Sequence, residues 1–301
     1  MSVPVCFPTP LPDETLYSIL CRYHVRSCNA TAKATFAQLF GRHKPSLYTS
    51  MLSPYPLKYA TSWKDLFYGI TTESFILKHS SLSYFQVFRS RPVPSLSNYS
   101  AFRYYMTMYN HCCTFTKKLR YCPKCAQSQR ETFGTSYWQI LPQIRGYEIC
   151  LLHNEPIRET ALSHHDIQSS FFPTSCVIGE DSSCEETKRL HKIKKYWEEY
   201  HQQAEDINYI FRHSCPGICF PQNFCNIVIR KTFPEKPVWV QRLMTDEFLY
   251  ECDAYPGDEY ISDMLKDIPS LISRFEYLPI CLQLYFCRII LGDIRKVCSY
   301  I

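Results

Sequence analysis

Apolar side chains recur at helical spacing close to the start of the chain. Leu16, Ile19, Leu20 and Tyr23 stand at i, i+3, i+4 and i+7, which puts them on one helix face. Pro12 and Asp13 supply a start signal ahead of them. A polar break at residues 29–31 ends this helix and offers an N-cap. Ala32, Phe36, Leu39 and Phe40 then build a second, shorter apolar face, closed by Gly41. Two amphipathic helices joined by a short polar turn fit a helix-turn-helix, and two core helices of a small bundle would show the same pattern. Residues 45–56 carry three prolines and read as a loop. Residues 63–79 read as helical in pieces, through Leu66, Phe67, Ile70, Phe75, Ile76 and Leu77. Pro92 and Pro94, followed by polar residues 95–100, mark a boundary. Polar residues between 163 and 183 suggest a mobile connection. Residues 187–211 read as a single long helix, basic first and aromatic later. Residues 216–237 read as irregular and 239–297 as mostly helical. No internal repeat or low-complexity tract interrupts the pattern.

Composition agrees with a mainly α protein. Glycine occurs only 8 times against 23 tyrosines and 19 phenylalanines, and tight β-turns need more glycine than that. Apolar residues at 46% and charged residues at 20% fit a folded chain. No run reaches the roughly 18 apolar residues of a membrane span; residues 278–291 come nearest and are broken by Gln283 and Arg288. The opening residues have no basic start followed by an apolar core, so no secretory signal is visible and no membrane partner is expected. The net charge of +5 permits a nucleic-acid partner without requiring one.

Cysteine changes the picture. Its 17 copies are an odd number and cannot all pair within one chain, so a reducing, cytoplasmic setting is expected. In such a setting clustered cysteines point to metal. Cys122 and Cys125 form a C-x2-C pair, and Cys150 and His153 repeat that spacing further on. A two-residue gap lets both side chains of a tight turn face one ion, so two such pairs supply four tetrahedral ligands. Thiolates are soft and select zinc over magnesium or calcium. One structural Zn2+ is therefore expected. Cys215, Cys219 and Cys225, with His213 as a further candidate, form a weaker second set. Adjacent Cys112 and Cys113 would point apart and read as structural.

The zinc deaminases also combine a Cys-x-x-Cys pair with His-x-Glu, and His153-Asn-Glu155 is present here. The order is reversed, however, because the deaminase His-x-Glu precedes its cysteines. Pro123 lies between the two cysteines instead of before them, and four protein ligands leave no position for a catalytic water. No G-x-S-x-G, His-Glu-x-x-His or Walker glycine loop occurs either, so no catalytic residue is assigned and an enzyme is not expected.

The stretch from Arg120-Tyr-Cys-Pro-Lys-Cys125 through Gly134-Thr-Ser-Tyr-Trp138 and Leu141-Pro142 to Tyr147-Glu-Ile-Cys-Leu-Leu-His153 resembles the TniQ/TnsD family of transposon target-site selection proteins. The opening Phe7-Pro-Thr-Pro-Leu-Pro-Asp-Glu-Thr-Leu-Tyr-Ser18 and the stretch from Glu73 to Leu82 are similar to that family as well. The resemblance spans about residues 7–160. It implies an N-terminal helix-turn-helix, a central Cys3His zinc module with small zinc-ribbon β elements, and a helical C-terminal part. The corresponding domains are 1–95, 96–162 and 163–301. It further implies a non-catalytic target-selection adaptor that recruits a AAA+ transposition ATPase of the TnsC kind. Such an adaptor reaches target DNA directly or through an RNA-guided effector complex, and would be bacterial and nucleoid-associated when DNA-bound. The chain stops sooner than the family's direct attachment-site readers. That reads as a short member or a truncated chain, and weighs against sequence-specific DNA reading more than against ATPase recruitment.

Six cations surround the metal motif: Lys117, Lys118, Arg120, Lys124, Arg130 and Arg145. Together they are the candidate DNA-binding residues, since such a cluster can neutralise phosphates; an ordinary solvated face has the same composition. The run from Lys188 to Lys195 invites both readings too. Tyr137 and Trp138 are expected to pack as the core of the metal module, with base stacking as the alternative for Trp138. From another class of function, the alternative is a zinc-stabilised protein-interaction module without nucleic-acid binding.

Overall fold

The computed structural model describes residues 7–40, 72–88, 98, 101, 116, 118–162, 164–176, 184–213, 219–230, 246–248, 258–264, 266–275 and 278–299. The proline loop at 45–56, the boundary at 92–94 and the Cys112-Cys113 pair lie outside them, as does Lys117.

Helix α1 (Leu16–Arg26) starts where Thr15, in extended conformation, accepts a hydrogen bond from the Ser18 amide at 3.1 Å. The expected apolar face is buried, and so are Tyr17, Ser18 and Cys21, because α1 is covered on more than one side. Helix α2 (Ala32–Phe40) is capped by Thr31, whose Oγ1 accepts from the Ala34 amide at 3.2 Å. The turn between them is locked by side chains. His24 Nδ1 lies 2.7 Å from Thr35 Oγ1, and Asn29 Nδ2 donates to Thr35 Oγ1 at 3.0 Å and to Gln38 Oε1 at 2.8 Å. Leu16, Ile19, Leu20, Phe36 and Leu39 meet in one buried cluster, while the Phe40 side chain and Gly41 lie outside the described residues. Leu20 has no exposed surface. Leu20→Ala is therefore expected to cost about 2–5 kcal/mol in chemical denaturation, the usual range for a buried leucine. A loss under about 0.5 kcal/mol would place Leu20 on the surface.

Short helices α3 (Thr72–Lys78) and α4 (Leu82–Gln86) lead toward the metal module. The module consists of β1 (Arg120–Tyr121), α5 (Pro123–Phe133), a 3-10 turn at Leu141–Gln143, β2 (Ile149–Cys150), β3 (Glu155–Pro156) and β4 (Arg158–Glu159). β1 pairs antiparallel with β4 and β2 with β3. The chain continues as α6 (His164–Ser169), α7 (Cys184–Lys195), α8 (Trp197–His213), α9 (Phe220–Arg230), α10 (Asp258–Met264), α11 (Ile268–Phe275), α12 (Ile280–Leu291) and α13 (Arg295–Cys298). The architecture is mainly α with a few two-residue strands, as expected.

Three expectations need correction. Residues 164–176 are not a free connection: α6 forms, Ile167 and Phe171 are buried, and Tyr17 Oη donates to the Ser170 carbonyl while accepting from the Phe172 amide. Polar composition concealed the anchors Ile167 and Phe171. The long helix at 187–211 is two helices separated at Tyr196. Charge explains the break, since Lys194 and Lys195 suit a helix C-terminus while Glu198 and Glu199 suit the next N-terminus. Residues 220–230, read as irregular, form α9. Its Phe220, Phe224 and Val228 stand on one buried face, and Pro221 lies in the first turn, where no backbone donor is lost.

One buried cluster runs from Leu16 through Trp138 to Val297, so the N-terminal helices, the metal module and the C-terminal helices share a core. Gly146 shows how closely they meet. It has φ +90, and a Cβ there would come within 3.1 Å of Gln203 Oε1 on α8 and 3.3 Å of the Cys281 Cβ on α12. The apolar run at 278–291 is the core helix α12, in which Gln283 is buried and Arg288 pairs with Asp206. No helix among the described residues is long and apolar enough to cross a membrane.

Candidate metal centre

Each ligand pair is held by its own local device. Cys122 follows β1 with φ −94 and ψ 125 and is the N-cap of α5, so its chain turns sharply into the helix. Pro123 occupies the first helical position, where its fixed φ is pre-organised and its missing N–H costs nothing. Cys125 then falls in the first turn. The second pair lies in the hairpin between β2 and β3, where the Asn154 amide donates to the Cys150 carbonyl at 2.7 Å. Asn154 adopts φ 51, a left-handed conformation that asparagine tolerates, and this reversal brings His153 back beside Cys150.

All four ligand atoms lie within 4.8 Å of one another. Cys125 Sγ is 3.6 Å from Cys150 Sγ, and His153 Nδ1 is 3.6 Å from Cys122 Sγ, 3.2 Å from Cys125 Sγ and 3.6 Å from Cys150 Sγ. A tetrahedron with metal–sulfur bonds of about 2.3 Å and a metal–nitrogen bond of about 2.0–2.1 Å has edges of about 3.5–3.8 Å. The donor set therefore fits one tetrahedral ion, with Nδ1 as the histidine donor.

Electrostatics point the same way. Hydrogen bonds from Cys122 and Cys125 hold the Cys150 thiol far below its ordinary range, while bonds to Cys122 and Cys150, with burial, push Cys125 far up. One thiolate among three close thiols keeps its neighbours protonated, and a cation lets all three ionise. A cavity of about 420 Å³ flanks the cluster, lined by Tyr147, Leu151, Leu152 and Ile157 and, from other parts of the chain, Asp13, Asn208 and Arg212. Glu155 does not point a free carboxylate at the centre; it pairs with Lys124 at 2.7 Å. Among the described residues no second group of histidine, cysteine or acidic side chains converges. Cys215 lies outside them, and His213 Nδ1 is taken up by the Tyr209 carbonyl at 2.9 Å.

The candidate DNA-binding cations are not brought together as one surface. Arg120 is the clearest departure: it is 1% exposed, so it cannot reach a phosphate. Its guanidinium donates to the Tyr147 carbonyl at 3.1 Å and the Ile144 carbonyl at 3.4 Å, and pairs with Glu148. Glu148 also pairs with Arg189 of α7, which in turn binds Glu186 at 2.8 Å and the Ile157 carbonyl. Burial lowers the pKa of Arg120. Burial opposes charge on Arg189 too, but Glu186, Glu148 and Glu159 outweigh it and hold its pKa up. Lys118 lies 3.7 Å from Glu185 and 3.9 Å from Glu159, and Lys124 is engaged by Glu155. Arg130 is exposed on α5 and Arg145 is half-buried.

Trp138 is buried and structural, which removes the stacking alternative. Its Nε1 donates to the Phe172 carbonyl at 2.8 Å and its amide donates to Ser18 Oγ at 3.1 Å. Tyr137 Oη donates to the Pro12 carbonyl at 3.0 Å. Along this seam the Thr15 amide bonds the Trp138 carbonyl and the Ile140 amide bonds the Asp13 carbonyl, both at 2.9 Å. His79 Nδ1 donates to the Glu14 carbonyl at 2.8 Å, and the Leu16 amide bonds the His79 carbonyl at 2.7 Å. The buried Glu14 carboxylate holds Ser18 Oγ at 2.8 Å, the Leu11 amide at 2.8 Å and Arg22 at 2.7 Å. Three motifs far apart in sequence thus meet where α1 joins the metal module. Sequence reasoning missed Glu14, Ser18, Glu148 and Arg189 as the residues that build this frame.

A Cys3His cluster that could hold one metal ion lies between an N-terminal helix pair and C-terminal helices, in a mainly α architecture. The chain belongs to the TniQ family, whose profile, described as TniQ, matches residues 5–156. No curated protein matches the chain. Membership makes it a transposition-associated target-selection adaptor, in a family whose members are generally without catalytic activity.

Proposed function

We propose that the chain is a zinc-loaded scaffold that links marked target DNA to the AAA+ ATPase of its transposition system. The observation that carries this reading is the seam itself. The metal cluster, α1 and α7 are tied through Trp138, Ser18, Glu148 and Arg189, so a partner on one face is held rigidly relative to a partner on another. Zinc is the ion that suits three thiolates and an imidazole at tetrahedral spacing, and Cys122, Cys125, Cys150 and His153 would hold it. Its part is structural, fixing the α5 start and the β2–β3 hairpin in one arrangement. Nucleic acid is met through positive charge left at the surface, either on target DNA or on an RNA-guided complex carrying it.

The second reading, a zinc-stabilised protein-interaction module without nucleic-acid binding, gains support from the engagement of Arg120, Lys118 and Lys124 by carboxylates. A salt series on random duplex DNA, run alongside capture of the cognate ATPase, separates the two. DNA affinity falling steeply with salt together with ATPase capture is the expected result. ATPase capture with no DNA or RNA binding at low salt would leave the second reading standing, and failure of both would overturn the adaptor proposal.

A further inference from the structure

Helix α7 carries the densest run of cations in the described residues, and its docking sorts them by face. We infer that its outward face is a contact surface for a nucleic-acid phosphodiester backbone; this rests on the nucleic-acid reading above and locates it away from the metal module. At about 100° per residue, Glu186, Arg189, Ile193 and Tyr196 fall within an arc of about 80°. These are the residues that hold α7 down. Glu186 and Ile193 are buried, Arg189 joins Glu148 and the Ile157 carbonyl, and Tyr196 packs on Phe248 with ring centroids 5.6 Å apart. On the same wheel Lys188, His191, Lys192, Lys194 and Lys195 fill an arc of about 160° centred on the opposite side.

Lys188, His191, Lys194 and Lys195 are exposed, and Lys192 is half-buried. No carboxylate follows Glu186 on α7. Lys195 lies 3.9 Å from Glu247, at the outer limit of an ion pair, and neither Lys188 nor Lys194 meets an acidic side chain among the described residues. In the metal module, by contrast, Lys124 is bound by Glu155 at 2.7 Å and Arg120 is buried.

Like charges at i, i+4, as in Lys188–Lys192, and at i, i+3, as in Lys192–Lys195, repel one another, although Lys194 and Lys195 also suit the helix C-terminus. A line of phosphates would relieve that repulsion. The run from Lys188 to Lys195 spans about 10.5 Å of helix. One strand of a duplex presents a phosphate about every 3.4 Å of its axis, so about three lie within reach. The cations are lysines, compact point charges on flexible stems, and no asparagine, glutamine or arginine accompanies them on that face to read base edges. The contact is therefore sequence-independent and positions the polymer. Because Arg189 and Tyr196 fix the helix from behind, the charges are presented on a rigid element.

The test uses the full chain and measures binding over a salt series, to a random DNA duplex and to an RNA duplex of equal length. The variants are Lys188→Ala with Lys194→Ala on α7, and Lys124→Ala with Arg130→Ala on the metal module. The α7 variant should weaken binding by up to about eightfold per lost contact at 0.1 M salt and flatten the salt slope by up to about two units. Zinc content and thermal midpoint should stay at wild-type values. Lys188→Gln with Lys194→Gln should behave alike, and whichever polymer shows the larger loss is the one this face meets. An α7 variant that binds both polymers like wild type, while the module variant weakens, overturns this assignment and leaves nucleic-acid binding intact. A wild-type chain that binds neither polymer at low salt removes the nucleic-acid reading itself, and this assignment with it.

Discussion

Replacing Cys150 with serine is expected to remove the zinc from the chain and to melt the module around the centre. Cys150 Sγ lies 3.6 Å from both Cys125 Sγ and His153 Nδ1, and Cys150 pairs with Glu155 across the β2–β3 hairpin. Without it the second ligand pair is broken and three donors remain, and a two-residue β ladder does not persist unaided. Structural zinc contributes about 10–16 kcal/mol of apparent binding free energy in isolated zinc-finger peptides at neutral pH. The loss here should be smaller, because Trp138, Ile140 and Ile149 remain anchored in cores shared with helices outside the module. A fall of many degrees in the thermal midpoint is expected, together with loss of one equivalent of zinc by elemental analysis. A strong chelator should reproduce it in the wild type and add nothing in the variant. Equal zinc in both proteins would sink the ligand assignment.

The Cys3His cluster was legible because its residues come as two local pairs, each confined to a single turn. A C-x2-C spacing says where its side chains can point before anything is known of the fold. The helical pattern of Leu16, Ile19 and Leu20 was legible for the same reason, a period expressed over adjacent turns. Arg120 was not. Its nearest carboxylate comes from Glu148, 28 positions away, and nothing local distinguishes it from a solvated arginine beside a cysteine. The burial of Trp138 was expected, but its partners Ser18 and Phe172, on either side of it in sequence at long range, were not readable. The split of the basic run into an inward Arg189 and outward lysines was readable only in part. The helical wheel separates the two faces, but which face docks depends on Glu148 and on the Ile157 carbonyl. The segment at 164–176 misled because its polar residues outnumber its two buried anchors, Ile167 and Phe171.

Glu148→Ala is expected to be the most damaging single change among the charged residues. Glu148 is the carboxylate closest to both Arg120, whose side chain has no exposed surface, and Arg189, whose side chain is 17% exposed. Removing it leaves two guanidiniums close together in a poorly solvated place, and losing one partner of a buried pair typically costs about 3–5 kcal/mol. Glu159 pairs with both more loosely, at 3.7 Å from Arg120 and 3.9 Å from Arg189, and offsets only part of the loss. Arg120→Met should cost less, because it removes a buried charge of similar length and leaves Glu148 paired to Arg189. The informative protein is therefore the double variant, Glu148→Ala with Arg120→Met. If the penalty of Glu148→Ala is an uncompensated buried charge, the double variant should be more stable than Glu148→Ala alone, despite carrying one more substitution. Urea unfolding of zinc-loaded protein gives all three values. A double variant no more stable than Glu148→Ala would mean that Arg120 holds its place chiefly through the Ile144 and Tyr147 carbonyls. In either case Arg189 loses an anchor in Glu148→Ala, so α7 should loosen and its amides exchange faster, while the Cys3His centre, tied to the rest of the chain through Trp138 and α1, keeps its metal.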